Sequence, residues 1–154
     1  MLSNKFKAWD IQKKEWMDAP IIDGANGKAM AFDLLAGEFQ RHFSDEEVRV
    51  VRSTGLYDGQ GSEIFEGDIV WLSVDGDERL FEVCIDTTVR KVQSHPSFAD
   101  EFAVVAITGV VFKWKGFKPF PCVIDDNRTT DVERMKIVGN VFEDPDLIFA
   151  SAKE

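Results

Sequence analysis

From Lys5 to Asp10 the chain reads KFKAWD, which places Phe6 and Ala8 on one side of an extended segment and Lys5 and Lys7 on the other. Side chains two apart share a face only in a strand, so this alternation predicts β structure. The same period recurs along most of the sequence, interrupted by Gly, Asp and Asn, as expected of short strands joined by turns. KFKAWD and EWMDAPII read as the arms of a hairpin closed near Gln12 to Lys14, followed by a loop at Asp23 to Gly27. Between Lys28 and Phe43 the apolar positions Met30, Phe32, Leu34, Leu35, Phe39 and Phe43 fit neither period cleanly. Strand and loop are favoured there, with a short helix as the alternative. SDEEV at Ser44 to Val48 carries a capping-box pattern, but VRVVRSTG alternates, so at most one helical turn is expected before the next strand.

The clearest local pattern is the hairpin GDIVWLSVDGDERLFEVCIDTT. A loop over Asp75 to Asp77 sets Leu72 opposite Leu80 and Trp71 opposite Phe81, whereas a longer loop sets Leu72 opposite Phe81 and Val70 opposite Val83. Both put large apolar side chains across the pair. FAVVAITGVVFKWKGF and FPCVID read as further strands, and DDNRTTDVERMKIVGNVFED as a turn, one helical turn and a strand. Asp144 before Pro145 has the form of a helix cap with proline at the first helical position, so Leu147, Ile148 and Phe149 are expected to anchor a short closing helix. The expected fold is mainly β, a small barrel-like or SH3-like antiparallel architecture with a short C-terminal helix. One domain over 1–154 is expected, with two small lobes, about 1–52 and 53–154, as the alternative division.

Composition supports a packed core: 44% of the 154 residues are hydrophobic, with 13 Phe and 4 Trp, far from the profile of a disordered chain. The formal net charge of −10 repels phosphate backbones and anionic lipid at long range. Cys84 and Cys122 lie far apart within apolar runs and read as buried free thiols of a reducing compartment, with a single disulfide as the alternative. The N-terminal MLSNKFKAWD lacks the apolar stretch of a secretory signal, and the longest apolar run, Phe102 to Phe112, is about half of what a spanning helix needs. A cytoplasmic protein without membrane contact is expected.

STGLYDGQGSEIFEGDIVWL, Ser53 to Leu72, carries Gly55, Gly59, Gly61 and Gly67. Phosphate-cradling glycines belong to a strand-loop-helix setting, where amides converge at a helix N-terminus. Here they lead into a strand. Asp58-Gly59 and Gln60-Gly61 are therefore expected at the positive-φ positions of tight turns, with Gly67 turning the chain into IVWLSV. Charge agrees, since residues 57–86 hold nine acidic side chains and one basic, Arg79, a net −8 that repels a nucleotide. Together with KFKAWD and KKEWM at the start and IVGNVFEDPDL at Ile137 to Leu147, this stretch resembles the YopX family of bacteriophage and prophage proteins. The resemblance implies a small, mostly β, barrel-like protein encoded by a phage, cytosolic in the infected bacterium and of undetermined function. It carries over no catalytic residue.

Candidate chemistry is sparse. Two histidines, His42 and His95, without Cys-x-x-Cys or His-x-x-x-His, give no metal signature. DGDE at Asp75 to Glu78 starts like a calcium loop but has Arg79 where a third ligand belongs, so a charged hairpin tip is expected. Cys84 with a histidine has no supporting spacing. No catalytic, cofactor-binding or metal residue is assigned and no enzyme is expected. The suggestive patch is FKWKGFKPF, Phe112 to Phe120, where Lys113, Lys115 and Lys118 interleave with Trp114, Phe117 and Phe120. In single-strand binders such a mixture supplies phosphate contacts and stacking faces. A half-buried edge strand, with Phe112 and Trp114 inward and Lys113 and Lys115 in water, accounts for it equally simply and is favoured. The leading expectation is a non-enzymatic accessory module that binds a host or phage protein, with Lys113, Trp114, Lys115, Phe117 and Lys118 as the speculative partner surface. Single-stranded nucleic acid binding through that patch and an acidic DNA mimic are the rivals, and exposed edges leave pairing with further copies of the chain open.

Overall fold

The computed structural model describes residues 5–33, 35–93, 97, 102–120 and 126–151. In chain order these form β1 (Phe6–Asp10), β2 (Glu15–Trp16), β3 (Met30–Asp33), β4 (Glu38–His42), β5 (Val48–Tyr57), β6 (Glu63–Phe65), β7 (Asp68–Val74), β8 (Asp77–Gln93), β9 (Phe102–Lys113), a 3-10 turn at Asp131–Arg134, β10 (Lys136–Asn140) and the helix α1 (Pro145–Ser151). One sheet has the order β2-β1-β5-β6, a second β10-β7-β8-β9, and β3 pairs with β4 alone. The protein is mainly β, and its barrel-like character takes the form of a curled half-barrel with a single short C-terminal helix. Of the strand expected over 120–125, residues 121–125, which include Cys122, fall outside the described residues, as does His95.

Alternation puts one face of β6, β7, β8 and β9 into the main core. Ile64, Val70, Phe81, Val83 and Phe112 are buried there, and Val132 and Met135 close it from the 3-10 turn and its end. Burying each such side chain contributes about 1.5–3 kcal/mol. A smaller cluster, Ala8, Ala29 and Val48 with Met17 and Phe43 against it, holds the β3–β4 hairpin to β1 and β5. The two sheets meet at an aromatic group: the Trp9 and Trp16 rings lie 5.0 Å apart, and Phe142 stands 5.9 and 5.5 Å from them. Contact with Phe142 explains why Trp9, on the face opposite Ala8, is also buried.

The β7–β8 hairpin adopts neither expected register. Leu72 faces Arg79, Trp71 faces Leu80 and Val70 faces Phe81. The cause is a two-residue turn in which Asp75 (φ 51°) and Gly76 (φ 82°) are both left-handed, the geometry whose twist matches that of paired strands. Leu72 and Phe81 become diagonal rather than direct neighbours, and both remain in the core. The Asp-Gly pair was a legible signal for this shorter loop.

The other local readings hold in part, and the strand read over FAVVAITGVVFKWKGF ends at Lys113, with a turn over Trp114 to Phe117. Residues 28–43 are strand and turn rather than helix. Glu47 accepts from the Ser44 amide at 3.1 Å over a single turn before β5. The arm expected from EWMDAPII shrinks to Glu15–Trp16. The helix starts at Pro145 as expected, but the Asp144 carboxylate reaches back to the Asn140 amide at 3.4 Å.

The glycine-rich stretch forms corners. Gly61 and Gly67 are left-handed as expected, whereas Gly59 is not. A Cβ at Gly59 would lie 2.6 Å from the Glu133 carbonyl oxygen, so glycine is required there by the close approach of the 3-10 turn. The local amides do converge on an anion, and it is the chain's own: Asp58 accepts from the Gln60 and Ser62 amides at 2.9 Å each and from Ile137 at 3.0 Å. Burial pushes this carboxyl upward, but those bonds outweigh it and hold Asp58 below the usual carboxylate range.

Candidate functional site

The curl of the second sheet leaves an open cleft of about 880 Å³ on its inner side. Its floor is Phe81 and Phe112, both buried in the core. One wall comes from the segment after β9. There Lys115 (φ 45°) and Gly116 (φ 84°) form a second left-handed turn, which pairs Trp114 with Phe117. The chain then runs back along β9, and the Phe112 amide donates to the Pro119 carbonyl at 2.9 Å. The opposite wall is Met135 and Asp131 at the 3-10 turn.

This arrangement divides the patch predicted from sequence. Trp114, Phe117 and Lys118 line the cleft. Lys113 does not; it faces Glu82 across the β8–β9 pair and is exposed. Lys115 sits on the turn with its ammonium 5.2 Å from the Trp114 ring. Phe112 and Trp114 point inward and the two lysines outward, as the alternation required. β9 is the edge strand of its sheet, with its end covered by the returning chain. Trp114 and Phe117 stack at 6.0 Å and 25°, and Phe117 is 65% exposed, a large apolar side chain presented at the rim.

Two arginines of β8 complete the site, and neither was singled out from sequence. Arg79 stacks over Trp114 at 4.3 Å while its Nε bonds Asp77 at 2.9 Å. Arg90 lies 5.3 Å from the Phe120 ring and donates to the carbonyl oxygens of Lys118 (2.5 Å) and Val89 (3.1 Å). Lys118 bonds Asp86 at 2.6 Å, a contact that pulls the Asp86 carboxyl below its ordinary range. Arg79 and Arg90 lie far apart within a seventeen-residue strand and reach one cleft because that strand curls. No sequence spacing signals this.

Other candidates resolve locally. Cys84 is half-buried rather than buried, and desolvation pushes its thiol up to about 11, which keeps it protonated near neutral pH. His42 bonds Asp23 at 2.7 Å, in a different sheet from Cys84. Asp75 to Glu78 form a hairpin tip, with Asp75 in the turn and Asp77 held to Arg79. Among the described residues no three His, Cys, Asp or Glu side chains cluster as metal ligands, and no helix is long and apolar enough to cross a membrane.

A curled β half-barrel whose inner face opens into an aromatic, arginine-lined cleft describes the class of protein. Residues 5–149 match the model of the YopX protein family, and the chain belongs to that family. Among solved structures it is similar to protein EF1440 from Enterococcus faecalis, at 20% identity and a TM-score of 0.52, over 96% of this chain and 99% of that one. At that identity the likeness concerns the fold. No curated protein matches the chain.

Proposed function

We propose that this protein is a non-enzymatic binding module, encoded by a phage or prophage and acting in the bacterial cytoplasm, that seats a segment of a partner protein in the cleft. The observation that carries the reading is the exposed Trp114–Phe117 stack at the mouth of a concave surface already backed by core aromatics. Exposed aromatics beside arginine are the side chains that dominate protein-protein contacts, because they bury large area at small entropic cost. A cavity of about 880 Å³ is within the range of ligand-sized sites.

Site-specific photocrosslinking in bacterial cells tests it. A benzoylphenylalanine at position 117 is expected to capture a discrete protein, and Trp114→Ala to abolish the capture. The same probe at position 39, on the β4 hairpin, is expected to capture none. Capture only from position 39, or from neither, defeats the reading.

Single-stranded nucleic acid is the second reading, since the stacked pair with Lys115 above it also suits a base. It predicts salt-sensitive binding that weakens on Lys113→Ala and Lys115→Ala. The net charge of −10 opposes it.

A further inference from the structure

We propose, resting on the cleft as the partner-binding surface, that Arg90 is its anion-accepting residue and that the occupant is a peptide segment carrying an Asp or Glu carboxylate beside an aromatic side chain. Three cations line the cleft, and two are already answered by the chain's own carboxylates. Arg79 is held by Asp77 and Lys118 by Asp86. Arg90 has no carboxylate partner among the described residues; its bonds go to two carbonyl oxygens and its plane lies near the Phe120 ring. A half-buried guanidinium anchored on one edge in this way keeps donors in a fixed orientation, the geometry that suits a carboxylate. Beside it the exposed Phe117 ring, stacked on Trp114, leaves an apolar face without a cover. The two features call for an anion and an aromatic group on one ligand.

Charge selects the class. Arg79 pairs with Asp77, Lys118 with Asp86 and Arg134 with Asp131, so these cancel and Arg90 alone leaves the cleft at 4 − 3 = +1. That matches one carboxylate and is too little for a run of phosphates approaching a chain of net charge −10.

The test uses fluorescein-labelled peptides of sequence Gly-Ser-Glu-Phe-Gly-Ser, with matched Gln-Phe and Glu-Ala versions, and anisotropy titrations of the full chain. Wild type is expected to bind the Glu-Phe peptide about tenfold more tightly than the Gln-Phe one, the ratio that one charge-assisted hydrogen bond supplies. Arg90→Gln should erase that ratio by weakening Glu-Phe binding far more than Gln-Phe binding, and Arg90→Lys should restore part of it. Trp114→Ala should weaken both phenylalanine peptides. Circular dichroism confirms that each variant is folded, and Arg90→Lys serves if Arg90→Gln is not. Equal loss of Glu-Phe and Gln-Phe binding in Arg90→Gln, no binding of any peptide, or tighter binding of oligothymidylate through Arg90 overturns the proposal. If the position-117 crosslink persists while the peptide ratio ignores Arg90, the cleft reading stands and only this inference falls. Absence of both removes both.

Discussion

Asp68 begins β7, is 8% exposed and accepts from the Phe65 amide at 2.8 Å. Burial raises its pKa from 3.8 to about 6, against the pull of that bond and of Lys7, with Asp58 and Glu143 adding to the rise. An acid whose folded pKa exceeds its unfolded one binds its proton more tightly when folded. Its stabilising contribution is therefore complete below pH 4 and is lost as the pH rises through about 6. A shift of about 2 units at about 1.4 kcal/mol each makes ionised Asp68 cost about 3 kcal/mol at pH 7. Asp68→Asn mimics the protonated form and keeps an oxygen for the Phe65 amide. Urea denaturation of both proteins from pH 4 to 8 should show the variant about 3 kcal/mol more stable at pH 7, with the gap closing towards pH 4. A variant less stable than wild type at pH 7, or a gap that does not change with pH, would refute the assignment of a costly buried charge at this strand start.

Gly59→Ala forces a Cβ towards the Glu133 carbonyl, so a loss of about 1–3 kcal/mol is expected in the same denaturation assay. Gly67 combines φ 88° with a Phe142 ring atom 2.8 Å from where a Cβ would sit, and Gly67→Ala should cost at least as much. Phe142→Ala removes the ring packed against both Trp9 and Trp16; a loss of about 2–4 kcal/mol and a changed tryptophan emission spectrum are expected, and an unchanged spectrum would contradict the packing described. Cys84, with its thiol pushed to about 11, should react with a disulfide reagent at pH 7.5 far more slowly in the folded protein than in urea, measured in a Cys122→Ser background.

The cleft also orders the chemistry of the surface around it. Asp77 and Asp86 each pair with a cation of the cleft, so two carboxylates of the acidic segment read from sequence as a repulsive field offset positive charge there. Exposed pairs of this kind add little stability.

Strands, turns and the closing helix were written locally, in alternation, in Asp-Gly and Lys-Gly steps and in Asp144-Pro145, because each depends on neighbours a few residues away. Even the correct β7–β8 register lay in two adjacent residues, Asp75 and Gly76. The cleft was not written in this way. Sequence offered Trp114, Phe117 and Lys118 but grouped them with Lys113, which alternation in β9 turns outward, and Lys115, which sits on the turn. Arg79 and Arg90 joined them only through the curl of β8, a property of how sheets coil and pack rather than of any one residue. Likewise, Gly59 lies in a turn as read, but glycine is needed there because tertiary packing lays the backbone of Glu133 against it, not because of a left-handed φ. Short-range sterics determined the elements, and long-range packing decided which side chains share a surface.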